Sequence, residues 1–216
     1  MKKAIILNGS PRKNGNTMAA LVAAAQGAEE AGAAVETIHL YDYQFSGCVS
    51  CFACKSIDDR FKGRCALLDD LTVILEKIMQ ADMLILGSPV YLFNITSRMR
   101  ALLERLVFMN CTYDYQETEK YSIFSGQINV GFIYTMNITK EEMGVMQFER
   151  QIFWNEFFLK FFKGRVESLA INDTSQFADY SLYHTKGIDL ARKGRVRRED
   201  FPGDIQKAYE LGKQLV

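Results

Sequence analysis

Apolar residues fall into two alternating patterns over the first 173 residues. Short apolar runs occur at AIILNG (Ala4–Gly9), VETIHL (Val35–Leu40), MLILGS (Met83–Ser88), NVGFIYTM (Asn129–Met136) and VESLAIND (Val166–Asp173). Three of these runs are nearly continuous, as expected of strands covered by helices on both faces. Longer stretches of helical periodicity lie between them, near Thr17–Gly32, Asp69–Ala81, Ser97–Met109 and Glu141–Phe162. A last helix is predicted over Asp204–Gln214. Such alternation predicts a parallel sheet with right-handed crossovers.

Five strands in this succession predict an α/β, flavodoxin-like three-layer sandwich with sheet order 2-1-3-4-5. One domain covers residues 1–216. Ligands in such sheets sit beyond the carboxyl ends of the strands, at the switch point between the first and third. The loops that matter are therefore those after Gly9, Gly87 and Tyr134. Two regions lack clear periodicity. One is the cysteine-rich loop between the second strand and second helix. The other is an arm at about 174–202, whose ARKGRVRRED stretch reads as solvated surface or a subunit contact.

Composition narrows the class. A chain of 216 residues builds a full core without disulfides or metal. Lys+Arg and Asp+Glu both total 26, so the net charge is zero, which argues against nucleic acid or an anionic membrane as partner. The N-terminal apolar run is too short for a signal peptide, and no stretch approaches the roughly 18 apolar residues of a membrane span. A soluble cytoplasmic protein is expected, a setting in which thiols stay reduced.

NGSPRKNGNT (Asn8–Thr17) follows the first strand and opens the first helix. A helix N-terminus leaves N–H groups unpaired and attracts phosphate. Gly9 and Gly15 allow a tight turn, while Ser10, Arg12, Asn16 and Thr17 offer hydroxyl, guanidinium and amide donors. The loop has neither a Gly-Lys-Ser/Thr ending nor a G-x-G-x-x-G fingerprint.

This stretch resembles the phosphate loop of the NADPH-dependent FMN reductases and of the iron-sulfur flavoproteins. The resemblance implies that Ser10, Arg12, Asn16 and Thr17 hold the phosphate of FMN. GSPVYLFNITSRMRALLERL (Gly87–Leu106) is similar to the same family's second flavin loop. It implies that Pro89, Val90, Tyr91, Leu92, Phe93 and Asn94 wrap the ring system and ribityl chain. Thr135, in YTMN at the end of the fourth strand, is a further flavin contact by the same resemblance. Arg98, Arg100, Glu104 and Arg105 are expected on an exposed helix face, and Cys111 as a small buried residue of that helix.

GCVSCFACKSIDDRFKGRC (Gly47–Cys65) holds Cys48, Cys51 and Cys54 at C-x2-C-x2-C spacing, with Cys65 after ten more residues. Four thiols in one loop suit an Fe–S cluster better than zinc, which takes separated pairs. A redox-active C-x-x-C pair and ordinary side chains remain alternatives. Iron-sulfur flavoproteins carry a compact C-x2-C-x2-C motif and a fourth cysteine binding [4Fe–4S] beside FMN, so Cys48, Cys51, Cys54 and Cys65 are the implied ligands. The last gap is longer than that family's usual spacing. Loop length alone does not exclude Cys65, because doubling a loop costs only about 0.6 kcal/mol. CKSIDDR also satisfies Cys-x5-Arg, but Asp58 and Asp59 would repel a phosphate and no glycine opens the loop.

The flavin performs the redox chemistry, so no residue is assigned as catalytic. His39 and His184 are read as local hydrogen-bonding or packing residues. The resemblance implies an FMN-dependent oxidoreductase passing electrons from NAD(P)H to a flavin, quinone or similar small-molecule acceptor. Alternatives are an electron-transfer iron-sulfur flavoprotein fed by a ferredoxin-type protein, and a flavin-binding regulatory protein without turnover. The aromatics of Glu141–Phe162 exceed what one helix face buries, which predicts a homodimer or homotetramer.

Overall fold

The computed structural model describes residues 1–114 and 121–216. Strand β1 (Lys3–Asn8) leads to helix α1 (Asn16–Glu30), β2 (Ala34–His39), α2 (Leu71–Met79) and β3 (Met83–Tyr91). A short strand β4 (Asn94–Ile95) precedes α3 (Ser97–Asn110) and β5 (Ile128–Thr135). Then come α4 (Lys140–Val145), α5 (Phe148–Phe157), β6 (Lys163–Ile171), α6 (Leu190–Glu199) and α7 (Phe201–Leu215).

The five long strands pair in parallel in the order β2-β1-β3-β5-β6. This is the expected 2-1-3-4-5 arrangement once β4 is set aside, for β4 only folds back antiparallel on the end of β3. Leu92 and Phe93 make that hairpin turn, both with positive φ, as a two-residue type I′ turn requires.

The apolar strand runs explain the layering. One face of the sheet packs Leu7, Leu84, Leu86, Val130 and Phe132 against α2, α3 and α5. The other packs Ile6, Ile85 and Ile133 against α1 and α7. Two glycines let α1 and α7 touch backbone to backbone. A Cβ on Gly27 would lie 2.0 Å from the Tyr209 carbonyl, and one on Gly212 would lie 1.9 Å from the Ala24 carbonyl.

Three expectations need correction. The Glu141–Phe162 helix is broken. It ends first at Val145, resumes at Phe148, and tightens to a 3-10 turn at Phe158–Phe162. Gln147 between the pieces is left-handed, with φ 54°. The arm is not irregular throughout, since α6 occupies Leu190–Glu199 with Asp189 accepting from the Arg192 N–H as its cap. Its buried residue is Lys193, so no apolar stripe announced it. Helix α7 begins at Phe201, earlier than expected, with Pro202 in the first turn where a missing N–H costs nothing. Among the described residues no helix is long and apolar enough to cross a membrane.

Alanine normally stabilises a helix interior relative to glycine. At Gly212 the contact with Ala24 reverses the sign. Gly212→Ala is expected to destabilise the protein by about 3 kcal/mol, the upper range for overpacking. Urea denaturation checks this. A change within about 0.5 kcal/mol would contradict the backbone contact.

Candidate cofactor site and cysteine loop

The end of β1 is shaped by its own side chains. Asn8 is buried, and its Oδ1 accepts from the Ser10 N–H at 2.9 Å. Its Nδ2 lies 3.1 Å from His39 Nδ1 on β2, so His39 has the local hydrogen-bonding role expected of it. Ser10 Oγ accepts from the Arg12 N–H at 3.1 Å. The Gly9 N–H donates to the Gly87 carbonyl at 2.7 Å, and Thr96 Oγ1 donates to the Gly9 carbonyl at 2.7 Å. A Cβ on Gly9 would lie 3.0 Å from that Gly87 oxygen and 2.9 Å from the end of the Met99 side chain, so the close approach of the two strand ends favours glycine there.

Helix α1 then starts without a side-chain cap at Gly15 and without an acidic residue in its first turn. Its leading N–H groups therefore have no side-chain acceptor from the cap, which is the chemistry that an anion completes. Thr17 Oγ1 lies 2.7 Å from Thr135 Oγ1, joining α1 to the end of β5.

These pieces line one cavity of about 240 Å3 at the carboxyl edge of the sheet. Ser10, Arg12, Asn16, Thr17, Pro89, Val90, Tyr91 and Thr135 all border it. Leu92, Phe93 and Asn94 do not. They belong to the β3–β4 turn, where Leu92 is 97% exposed. Burial pushes the Tyr91 phenol above its ordinary range, with the Arg12 charge pulling the other way.

Sequence reasoning missed Met136, Asn137, Thr174, Ser175 and Gln176, which complete the wall. Arg12 Nη1 donates to the Gln176 carbonyl at 2.5 Å, and Asn16 Nδ2 to the Ser175 carbonyl at 2.8 Å. The carboxyl-edge rule, applied to β6 as well, points to this segment. Buried Lys193 holds the segment in place. Its Nζ donates to the Asn137 carbonyl at 2.7 Å and pairs with Asp173, which Arg192 also contacts at 3.0 Å.

The cysteine loop follows β2 at the same edge. Cys48, Cys51, Cys54 and Cys65 line one small depression with Phe52, Phe108 and Met109. Ser50 and Phe52, on either side of Cys51, are left-handed, with φ 53° and 56°. Such backbone costs free energy and persists where surrounding contacts impose it. All five cysteines are free thiols. Burial pushes the Cys54 and Cys111 thiols up, against the pull of Lys55. This disfavours thiolates at these two positions.

Arg105 is the main anchor, and it corrects the expected exposed position. It is 1% exposed. Its Nη1 donates to both Asp69 oxygens, at 2.7 and 2.6 Å, and its Nη2 to the Leu67 carbonyl at 2.7 Å. Its Nε lies 3.3 Å from Cys65 Sγ. Arg98 is only half-exposed and donates to the Phe45 carbonyl at 2.7 Å. Glu104 Oε2 accepts from the Cys48 N–H at 3.3 Å, so it too faces the loop. Lys55 closes the end of α3 by donating to the Phe108 carbonyl and, at 2.8 Å, to that of Cys111. Cys111 is the half-buried residue after α3 and not a buried helix residue.

Among the described residues no group of three or more His, Cys, Asp or Glu converges on a single metal position. A cubane cluster spreads its thiolates over four irons. The four thiols here border one small depression without being gathered around a common centre. The guanidinium of Arg105 supplies a buried positive charge beside them.

Residues 1–133 match the family described as NADPH-dependent FMN reductase. An iron-sulfur flavoprotein of Methanocaldococcus jannaschii is 37% identical over 103 residues, covering 48% of this chain and 51% of that one. The chain spans about half the length of the curated relatives it matches. Among solved structures, the NAD(P)H:quinone oxidoreductase from Methanothermobacter marburgensis superposes with TM-score 0.71 at 16% identity, over 100% of this chain and 99% of that one. An azoreductase from Bacillus anthracis gives 0.67 at 14% identity, over 99% and 100% of the two chains. At such identities these structures speak to the fold alone. The sequence match takes in β1, the loop before α1, the cysteine loop and the β3–β4 turn, and by it the chain belongs to the NADPH-dependent FMN reductase family.

Proposed function

We propose that this chain binds FMN at the carboxyl edge of the sheet and uses it to oxidise NAD(P)H and reduce a small-molecule acceptor. The observation that carries this is the uncapped start of α1, closed in by Ser10, Arg12, Asn16 and Thr17 in a family whose name specifies FMN. The phosphate completes the N–H groups of the first helical turn and faces the Arg12 charge. Thr17 and Thr135 hold the cavity floor, and Pro89 to Tyr91 form a wall. Leu92, Phe93 and Asn94 adjoin that wall at the exposed turn. FMN, once bound, supplies hydride and electron transfer; the protein positions it and limits water access.

A second reading adds a [4Fe–4S] cluster at Cys48, Cys51, Cys54 and Cys65. It is favoured by the shared depression and by Arg105 beside Cys65. In that form a ferredoxin-type protein is an alternative electron donor. Phe153 and Phe157, exposed one turn apart on α5, suit a contact between copies in a homodimer or homotetramer. Light scattering tests that contact, and a monomer at micromolar concentration would contradict it.

Anaerobic NADPH or NADH is expected to bleach the bound flavin, and a flavin left oxidised by both would overturn the oxidoreductase reading. Iron and acid-labile sulfide are expected in equal amounts and to fall together in Cys65→Ser. Flavin without sulfide would remove the cluster and leave the FMN reading standing.

Lys193→Met is expected to lower stability by about 3 kcal/mol, because it leaves Asp173 buried with one partner fewer. It is also expected to raise the FMN dissociation constant about tenfold, equal to about 1.4 kcal/mol, by freeing residues 174–176. Flavin fluorescence titration at a temperature where the variant is folded checks this. Unchanged affinity would mean that Lys193 serves the fold alone.

A further inference from the structure

The basic stretch of the arm, ARKGRVRRED, divides by face once it is wound into α6. Arg192 and Arg195 border a hollow that also takes in Glu141, Glu199 and Asp204, where acids balance them. Lys193 turns the other way, toward Asp173 and the Asn137 carbonyl. Arg197 stands one turn further along that second face, at the i+4 position. Its Nη1 donates to Asn16 Oδ1 at 3.3 Å. Its guanidinium lies over the Phe201 ring, 4.2 Å from the ring centre, and Phe201 is itself fixed in the core against α1. An exposed side chain is thus backed by a rigid ring and aimed at the first residue of α1. Among the described residues no carboxylate pairs with Arg197.

Asn16 is the residue that Arg197 sets. It opens α1 and borders the cofactor cavity. Its amide is held at both ends, for Nδ2 donates to the Ser175 carbonyl at 2.8 Å while Oδ1 accepts from Arg197. A guanidinium only donates and a carbonyl only accepts, so the two contacts together decide which end of the amide faces α6. Without Arg197 the amide oxygen loses its donor and is free to swing toward the cavity, where it would repel a phosphate. Charge points the same way. The first turn of α1 holds no acid, and Lys13 nearby in sequence is balanced by Asp42 at 2.7 Å. Arg12 and Arg197 are left as two guanidiniums beside the residues that open α1. Cations at the positive end of a helix dipole are unfavourable, and a bound anion relieves them.

We propose that Arg197 is a positioning residue for the phosphate end of the cofactor. Through Asn16 it orients the start of α1 and adds a second cation there, so it favours a flavin that ends in a phosphate over one that does not. This rests on the FMN reading above. Arg197 lies outside residues 1–133, so nothing in the family match assigns it this role.

The test is calorimetric titration of the flavin-free full chain with FMN and with riboflavin, in the parent and three variants. Arg197→Met keeps an apolar cover on Phe201 and removes the charge and the donor. It is expected to cut the preference for FMN over riboflavin about fivefold, the size of one exposed charged contact, with riboflavin affinity unchanged. Arg197→Lys, which keeps a charge and a donor, is expected to restore the preference to within about twofold of the parent. Arg198→Met is the control, because Arg198 shares the last turn of α6 and its dipole but not the Asn16 contact, and it is expected to leave the preference intact. Thermal melts confirm that all three are folded. An unchanged preference in Arg197→Met, or an equal loss for both flavins, would overturn the role and leave the FMN reading standing. An equal loss of preference in Arg198→Met would also overturn it, by showing that any charge on α6 suffices. A parent that binds both flavins equally would overturn the phosphate reading and this role with it.

Discussion

Helix α1 begins without a side-chain cap, and the site is arranged around that open end. Its first N–H groups need an acceptor and carry the positive end of the helix dipole. The neighbouring elements close in around that end. Asn8 folds the loop back through Ser10, His39 steadies Asn8, and Gly9 lets the loop rest on the end of β3. Thr135 and the 174–176 segment close the far side. The parallel sheet brings these residues to one edge because all five long strands end there.

Charge burial organises the neighbouring loop in a similar way. Arg105 is taken out of water on α3 and compensated by Asp69, Leu67 and Ser46, which lie before and after the cysteines. A buried guanidinium without partners would be strongly destabilising, so the loop is held to α3 by the need to satisfy it. The same contacts leave Cys65 at the charge and the other three thiols around a shared depression. Lys193 does comparable work on the other side of the site with Asp173.

Much of this was legible in the sequence, for physical reasons. Strands covered on both faces must be apolar throughout, so AIILNG, MLILGS and NVGFIYTM marked the sheet and its order. The loop at Asn8–Thr17 stands out because it sets glycine beside small polar side chains, and the structure brings Ser10, Arg12, Asn16 and Thr17 of that loop to one cavity. What stayed hidden was set by tertiary contact. Arg105 reads as a solvated helix charge until Asp69 is placed beside it. Helix α6 buries a lysine where periodicity looks for an apolar residue. The break at Gln147 turns on one left-handed residue that carries no glycine signal. Ser175 and Gln176 contribute backbone carbonyls, which no side-chain pattern reveals.

The central claim is that the open end of α1, with Ser10, Arg12, Asn16 and Thr17, is built for the phosphate of FMN. Calorimetric titration of flavin-free protein with FMN and with riboflavin, which differs only by that phosphate, tests it most directly. Two charge-assisted hydrogen bonds at about 1.5 kcal/mol each predict FMN binding roughly a hundredfold tighter than riboflavin. Equal affinity for the two flavins would contradict the account.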